Sequence, residues 1–440
     1  MPSNGTPTKK KRTWHWLLPF LSIFLGISLF LCFCTYSGRL GPFCALALSA
    51  PPPPFGVITD GRTVYLYGGP TELLSAREAA TGNLLWEKKG LANTLVVHHG
   101  VIYAQTGDLK RLTALQARDG KTLWTSSQAI ASPPSAPYSL AHSPVVVGET
   151  IYGKFGEELG AVRTSDGTLL WKTPIAASSS WWLRAVDAGH VYVTEALSHN
   201  QVQVRSLRAS DGRLLWRHEQ QTLPDAWPPD GMLQITPVGG LLLLQSPTSL
   251  VVLETQSGKP RWTFSAHSGQ TFSEKSIVAR DTVYLATFQE DGGATISALR
   301  LQNGKPQWKF HAFPQGINAL LFAEGRLYIE SEALYALRTA DGSVVWKNPQ
   351  VQFGTMLFAR GTIYGDGTTL SAVSASTGRL IWKSESAAAG GLVAIDESKI
   401  YLSTQGRYYC DESSWDLRVY ALRTTDGSQA WLYRNIHPYD

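Results

Sequence analysis

Cysteine is scarce in this 440-residue sequence, with only four copies. They include no adjacent pair and no spacing typical of a metal site, and they are too few for a disulfide scaffold. Cys32 and Cys34 lie within an apolar segment near the N-terminus. Cys44 and Cys410 could pair with each other if this part of the chain faces an oxidising compartment. The cysteine content therefore excludes a small disulfide-stabilised fold and a cysteine-ligated metal centre.

Charged residues are also few, at 17% of the chain. Of the 39 Lys and Arg residues, four form the run at positions 9–12, which leaves 35 basic residues against 34 acidic ones. The remainder of the chain is nearly neutral, so it lacks the basic surface of a nucleic-acid-binding protein. Glycine (40), tryptophan (15) and tyrosine (17) are abundant instead. This composition is typical of an all-β protein with many turns and a large aromatic core.

Residues 14–36 are an apolar segment without Asp, Glu, Lys or Arg. A helix of this length rises ~1.5 Å per residue and can cross the ~30 Å hydrocarbon core of a bilayer. The basic run just before it predicts that residues 1–13 are cytoplasmic and that everything after the helix is outside. We therefore expect a single-pass signal anchor in the cell membrane; a cleaved signal peptide is the alternative. Residues 37–56, with four consecutive prolines, are predicted to form a linker.

The rest of the chain is built from one repeated unit. A glycine followed four residues later by tryptophan occurs nine times, and the residue before the glycine is always Asp, Asn, Ser or Thr. The repeat tryptophans are Trp86, Trp124, Trp171, Trp216, Trp262, Trp308, Trp346, Trp382 and Trp431. An alanine precedes the glycine by six residues in seven of the copies. Internal repetition of this kind indicates a repeat architecture.

Each unit predicts two β-hairpins. Asp-Gly or Thr-Gly between short apolar runs is a hairpin signal, because glycine accepts positive φ. A second hairpin lies upstream and contains a tyrosine in eight units; the unit near Leu241 has leucines instead. Four short strands per unit predict a propeller blade. Helical solenoids are excluded because no helical periodicity occurs outside residues 14–36; an open β-solenoid remains the alternative.

The segments ALRTADGSVVW and ALRTTDGSQAW resemble the tryptophan-docking motif of pyrroloquinoline-quinone (PQQ) repeat propellers. The resemblance covers residues 57–440 and implies an all-β, PQQ-like β-propeller of eight, or alternatively nine, four-stranded blades, which the transmembrane helix expected at residues 14–36 would precede. The family usually has eight blades, whereas counting repeats gives nine. Its members are either quinoprotein dehydrogenases or non-enzymatic propellers that bind other proteins, such as the propeller lipoprotein of the outer-membrane β-barrel assembly machinery.

The resemblance implies no cofactor here. Dehydrogenases of this type carry a Cys-Cys disulfide, a calcium ion held by Glu and Asn, and an aspartate base, and none of these residues can be matched in this chain. We therefore expect a non-enzymatic propeller. Among other polar groups, His98-His99 and Glu157-Glu158 are predicted to be solvated loop residues. Asp366 could bind a cation, but its Gly-Asp-Gly context indicates a tight turn.

Three segments depart from the repeat, at residues 126–143, at residues 180–182 together with 225–229, and at residues 406–415. Exposed Trp, Tyr and Arg clusters are typical of binding hot spots. The candidate binding surface consists of Trp181, Trp182, Trp227, Arg407, Tyr408, Tyr409 and Trp415. For the tryptophans at 181, 182 and 227 the alternative is that they plug the central channel or cap a blade.

The expected function is that of a membrane-anchored, extracytoplasmic protein-binding or scaffolding module of the cell envelope, without nucleic acid as a partner. Two alternatives stay open. One is a PQQ-dependent oxidoreductase in which Trp181 or Trp182 stacks on the quinone. The other is a propeller that binds glycans or the cell wall through its aromatic loops.

Overall fold

The computed structural model describes residues 55–68, 73–106, 111–126, 144–155, 158–175, 181–198, 201–221, 233–273, 276–313, 316–367, 369–384, 391–404 and 414–438. The predicted transmembrane segment and the cysteines lie outside these residues. Within them every regular element is a β-strand, and the strands form nine sheets.

Blades 1 to 3 contain β1 (Phe55–Thr59), β2 (Thr63–Gly68), β3 (Leu73–Glu78) and β4 (Leu84–Lys88); β5 (Leu91–His98), β6 (Val101–Thr106), β7 (Leu112–Gln116) and β8 (Thr122–Thr125); and β9 (Val145–Val147), β10 (Thr150–Phe155), β11 (Glu158–Arg163) and β12 (Leu169–Pro174).

Blades 4 to 6 contain β13 (Trp181–Val186), β14 (His190–Ser198), β15 (Gln201–Arg208) and β16 (Leu214–Gln221); β17 (Gln234–Val238), β18 (Leu241–Gln245), β19 (Ser249–Glu254) and β20 (Pro260–Ser265); and β21 (Gln270–Phe272), β22 (Ile277–Ala279), β23 (Thr282–Gln289), β24 (Ala294–Arg300) and β25 (Pro306–Phe313).

Blades 7 to 9 contain β26 (Ala319–Ala323), β27 (Arg326–Glu330), β28 (Leu334–Arg338) and β29 (Val344–Asn348); β30 (Thr355–Ala359), β31 (Thr362–Asp366), β32 (Leu370–Ser374) and β33 (Leu380–Ser384); and β34 (Gly391–Ile395), β35 (Lys399–Thr404), β36 (Ser414–Arg423) and β37 (Gln429–Pro438).

The structure confirms an all-β propeller and corrects the number of blades. Each blade is an antiparallel sheet of consecutive strands, and in blade 6 two short strands, β21 and β22, share the first position. All nine repeats form blades, so the expectation of eight from the resemblance is wrong. The first strand begins at Phe55, within the segment predicted as linker.

The repeat tryptophan joins each blade to the next. In all nine copies the indole Nε1 donates a hydrogen bond of 2.7–3.0 Å to a backbone carbonyl beside the Gly-containing turn of the following blade. Trp382, for example, bonds the carbonyl of Thr424 at 3.0 Å. The tryptophan therefore combines apolar burial with a satisfied polar group.

The same contact closes the ring. Trp431 of blade 9 donates to the carbonyl of Ala79 in blade 1 at 3.0 Å, across almost the whole length of the chain. Val64 and Leu66 of blade 1 pack in one core cluster with Tyr401 of blade 9. No strand is exchanged between the two blades, because each sheet contains only consecutive strands. Closure therefore depends on side-chain docking between the first and last repeats.

The repeat glycine is required by this docking. At the nine positions φ lies between 66° and 78°, and a Cβ atom would approach the docked side chains of the preceding blade to 2.4–2.8 Å. A side chain would thus meet both backbone strain and a clash. The recurrent glycine follows directly from the recurrent tryptophan.

The repeat alanine lies between the two aromatic residues of its own blade. In blade 8 Tyr364 is opposite Ala372, which is opposite Trp382, on three neighbouring strands. The alanine is fully buried, and the Tyr and Trp rings approach to 5.9 Å above it. Two blades differ: in blade 4 Ser206 takes the place of the alanine, and in blade 5 Leu243 and Val252 lie in the same row as Trp262. A larger middle residue is accommodated in blade 5 because the tyrosine ring is absent.

Gly82→Ala tests the docking contact at the site of closure. We expect it to lower the free energy of unfolding by about 1–3 kcal/mol more than Gly61→Ala does. Both glycines have positive φ, but Gly82 faces the Trp431 ring whereas nothing lies within 4 Å of a Cβ at Gly61. Urea unfolding of the three proteins measures the difference. Equal losses for the two variants would show that the Trp431 contact does not hold the ring closed.

Candidate functional site

The antiparallel topology gives the disc two different faces. At one face, which we call the connector face, the first strand of each blade begins and the fourth strand ends. β1 begins there at Phe55, and β37 ends there at Pro438. The opposite, hairpin face carries the turns between first and second strands and between third and fourth strands.

The departures from the repeat are attached to the connector face. Residues 222–232 follow the end of β16, and residues 405–413 join the end of β35 to the start of β36. The sequence candidates Trp227, Arg407, Tyr408 and Tyr409 fall in these two segments, outside the described residues. The backbone of Trp415 is described, and it pairs with that of His437 near the same face.

The structure corrects the expectation for Trp181. Its side chain is only 1% exposed and packs with Tyr152 and Leu183 in the core between blades 3 and 4. The ammonium group of Lys154, from blade 3, lies 5.0 Å from its ring centroid. This is a cation–π contact inside a blade interface. Trp181 therefore packs between blades and offers no exposed ring.

Trp182 occupies the opposite side of the same strand and is partly exposed. The guanidinium carbon of Arg184 lies 5.7 Å from its ring centroid. A bulge at this point of β13 brings the two side chains together, and Arg184 Nε donates to Thr194 Oγ1 at 2.9 Å. Among the described residues this aromatic–guanidinium pair is the part of the candidate surface that remains accessible.

A buried ion pair supports the same region. Arg205 forms a salt bridge with Glu195, and both side chains are largely buried. Its guanidinium also donates to the backbone carbonyl of Ile175, which leads from blade 3 into blade 4. Removing either charge would leave its partner uncompensated in the interior.

One position, which the sequence patterns did not single out, links neighbouring blades at the connector face. It is the second residue after the repeat tyrosine or its leucine equivalent in the second strand, and we call it the clamp position. Its described members with long polar or charged side chains are Lys154, Gln245, Glu330 and Asp366. Because the residue type changes from blade to blade, only its spacing from the tyrosine could have revealed it.

Asp366 shows how the clamp position works. Its Oδ1 accepts the backbone amide of Thr355 at 2.6 Å, and its Oδ2 accepts that of Leu392 in blade 9 at 2.8 Å. Gln245 plays the same part between blades 5 and 6, where its amide bonds the backbone of Ser273 and Ser276. Asp366 is therefore engaged by backbone amides at both oxygens, which accounts for it without a cation.

Glu330 holds the equivalent place between blades 7 and 8 but lacks comparable hydrogen bonds. Its side chain is fully buried, and neither carboxylate oxygen has a hydrogen-bond partner among the described residues. Burial raises its pKa from 4.5 to about 7; the nearby backbone of Phe353 opposes this and Glu332 adds to it. The carboxyl group therefore loses its proton only near neutral pH, because burial disfavours its charged form.

Of the remaining polar candidates, His98 and Glu158 lie in strands β5 and β11 and not in loops, and His98 Nε2 is buried without a hydrogen-bond partner among the described residues. Glu158 forms a salt bridge of 2.8 Å with Lys172, and the rings of His98 and His99 lie 3.9 Å apart beside a turn. In the part of the chain that the structure describes, no group of three His, Cys, Asp or Glu residues could hold a metal ion. No vicinal cysteine pair exists anywhere in the sequence.

The family follows from a sequence comparison. A family model described as "Outer membrane protein assembly factor BamB", built on PQQ repeats, matches residues 45–185, 178–348 and 349–439. The chain belongs to this family. The match covers the whole propeller, and it agrees with the docked tryptophan present in each of the nine blades.

Solved structures are similar in fold. A eukaryotic initiation factor aligns at TM-score 0.56 and 10% identity, covering 83% of this chain and 95% of that one. BamB from Moraxella catarrhalis aligns at TM-score 0.44 and 14% identity, covering 71% and 93%. Quinohemoprotein alcohol dehydrogenase from Comamonas testosteroni aligns at TM-score 0.45 and 14% identity, covering 71% and 70%. At these identities the likeness concerns the fold alone.

No curated protein sequence matches the chain. Among the described residues, from Phe55 onward, there is no helix with the length and apolar character needed to cross a membrane.

Glu330→Gln tests the buried carboxyl group. Between pH 4.5 and about 7 the folded chain keeps a proton that the unfolded chain releases, so its stability falls as pH rises through this window. Glutamine, as found at Gln245, carries no such penalty. We expect the variant to be about 2–3 kcal/mol more stable than the parent protein at pH 8, with the difference shrinking toward pH 4.5. Urea unfolding at both pH values measures it.

Glu397→Gln provides the control, because Glu397 is 84% exposed. It should change stability little at either pH. A gain from Glu330→Gln that is the same at both pH values would contradict a buried, titrating carboxyl group.

Proposed function

We propose that this chain is a membrane-anchored, extracytoplasmic propeller that binds a protein partner of the cell envelope through its connector face. The proposal rests first on the attachment of the irregular segments. All nine repeat tryptophans are used for docking between blades, whereas the segments that depart from the repeat start and end at one face.

The chemistry of this face suits a protein partner. Trp182 and Arg184 form an accessible aromatic–guanidinium pair in blade 4, and the segments attached to the same face in blades 4 and 9 contain Trp227, Arg407, Tyr408 and Tyr409 in their sequence. Such residues supply most of the energy at protein interfaces because they combine large apolar areas with directed hydrogen bonds. The buried Glu195–Arg205 pair in the same blade as Trp182 would hold that part of the surface in place.

The position of the N-terminus favours a partner close to the membrane. The chain enters β1 at the connector face. The linker and the proposed anchor, which come before β1 in the sequence, therefore join the propeller at this face. A partly polyproline linker of this length spans at most ~60 Å. The connector face would then be tethered toward the bilayer, with the hairpin face turned away from it.

A photo-crosslinking amino acid placed at Tyr409 tests the surface in the full-length chain. We expect it to capture a specific envelope protein, and Trp182→Ala to reduce the crosslink at least tenfold. The matched control places the crosslinker at Arg360, an exposed residue of a turn on the hairpin face. Capture of the same partner from Arg360, or a crosslink at Tyr409 that is insensitive to Trp182→Ala, would contradict the proposal.

The alternatives give different results. A glycan binder would be retained on cell-wall polymer and lose retention in Trp415→Ala or Trp227→Ala. A quinoprotein would copurify with stoichiometric quinone when PQQ and calcium are supplied during expression. Either outcome without a protein crosslink would replace the proposed function.

Deletion of residues 1–36 tests the anchor. We expect the full-length protein to remain in the membrane fraction after carbonate extraction and the truncated protein to be released, because ~20 apolar residues are needed to span a bilayer. Release of the full-length protein by carbonate would show that it is not anchored by a spanning helix.

A further inference from the structure

The cleft between blades 4 and 5 on the hairpin face has the features of a ligand site. It has a volume of about 450 Å³ and is bordered by the turn at residues 187–190, the turn at residues 237–240 and by Thr255 and Gln256. This volume is within the range of small-molecule sites, roughly 300–1,000 Å³. The cleft lies on the face opposite the one proposed to bind a protein.

One imidazole in the cleft is held in a fixed orientation. His190 Nδ1 lies 3.0 Å from Asp187 Oδ1, and the ring stacks on Tyr192 with centroids 5.8 Å apart. Tyr192 donates to the other oxygen of Asp187 at 2.9 Å. The backbone amides of Gly189 and His190 also donate to Asp187. Both oxygens of the aspartate are thereby engaged.

These contacts determine which nitrogen can meet a ligand. Burial would raise the pKa of Asp187, but the hydrogen bonds from Gly189, Tyr192 and His190 outweigh it and hold the pKa below its ordinary value. The carboxylate can only accept, so the neutral form of the imidazole carries its proton on Nδ1 and presents Nε2 as an acceptor. No hydrogen bond from a described residue reaches Nε2. A ligand would have to supply an O–H or N–H donor.

Comparison with the other blades shows that this arrangement is particular to blade 4. The same Asp–Tyr hydrogen bond occurs in blade 1, between Asp60 and Tyr65, and in blade 9, between Asp396 and Tyr401. The residue equivalent to His190 is Thr63 in blade 1 and Lys399 in blade 9. The aspartate is therefore part of a recurrent turn, whereas the histidine is an addition to it.

The wall of the cleft opposite His190 is the turn at residues 237–240 of blade 5, and it carries no long side chain. In blades 6, 7 and 8 the two-residue turn begins with a long side chain at positive φ: Arg280, Glu324 or Arg360. In blade 5 this position is Gly239, with φ 54°, and a Cβ there would meet nothing within 4 Å. The turn of blade 5 thus lacks the long side chain that blades 6, 7 and 8 carry at this position.

We propose that this cleft binds an uncharged group with a flat apolar body and one hydrogen-bond donor, such as a phenol, with His190 Nε2 as the acceptor. Pro237 and Val238 provide the apolar wall, and the cleft contains no cationic residue to favour an anion. A metal ion is less well suited, because both oxygens of Asp187 are occupied and no other imidazole, thiol or carboxylate borders the cleft.

The test titrates the full-length protein at pH 8 with p-cresol and, separately, with toluene, following the imidazole signals of His190 by NMR. We expect saturable shifts with p-cresol and at least tenfold weaker binding of toluene, which lacks the donor. N-acetyltyrosine methylamide distinguishes the two sources of a phenol. Binding of this compound indicates a tyrosine side chain of a peptide, and binding of p-cresol alone indicates a free phenolic molecule; both support the site.

Two variants copied from the chain itself separate binding from folding. Gly239→Arg introduces the residue that blades 6 and 8 carry at this turn position, and His190→Thr introduces the residue of blade 1. Both should keep the parent unfolding midpoint within a few degrees and weaken p-cresol at least tenfold, as measured by ligand-observed NMR. Gly148→Arg, at the same turn position of blade 3 with φ 57°, is the matched control and should bind normally.

Equal binding of p-cresol and toluene, or p-cresol binding that survives both Gly239→Arg and His190→Thr, would overturn the proposal. The absence of any p-cresol binding to the parent protein would overturn it as well. None of these outcomes bears on the connector face, whose crosslinking experiment is read separately.

Discussion

The docking of one indole onto the next blade is the contact on which the rest of this structure depends. A four-stranded sheet of this size cannot bury both of its faces, so each blade is stable only against its neighbours. The hydrogen bond from tryptophan to the following turn fixes the distance and rotation between blades, and the repeat glycine and alanine make room for the ring. After nine blades the chain returns to its start, where Trp431 docks on blade 1 as every other repeat tryptophan docks on its successor.

Much of the fold could be predicted because these residues recur. Trp382, Gly427 and Ala372 have a defined spacing, and each is explained by a contact between neighbouring strands or blades. The number of blades was less accessible, because closure depends on a contact between Trp431 and Ala79 that no local pattern reveals. The repeat count was a better guide than the family's usual number.

The candidate surface was harder to predict for a physical reason. Trp181 and Trp182 are adjacent, yet successive side chains of a strand point to opposite faces, so one is buried against Lys154 and the other pairs with Arg184. The sequence alone does not tell which of these two tryptophan side chains points into the core. The clamp position was missed because Lys154, Gln245, Glu330 and Asp366 share a place in the blade but differ in residue type.

The architecture separates stability from recognition. The repeat residues are used within and between blades, which leaves the two faces free to vary without loss of the ring. At the connector face this variation takes the form of inserted segments that begin and end at strand termini. At the hairpin face it consists of single substitutions in short turns, such as His190 in blade 4 and Gly239 in blade 5. Insertions suit a protein partner, and point changes around a cleft suit a small group.

The central claim is that the ring is closed by the same contact that joins its other blades. The most direct measurement is hydrogen exchange of the tryptophan indole N–H groups by NMR, with Trp431 assigned through Trp431→Phe. The account predicts that Trp431 is protected as strongly as Trp171 and Trp216, which are buried to a similar degree and bond equivalent carbonyls. Rapid exchange at Trp431, with protection retained at the other two, would show an open ring and contradict the account.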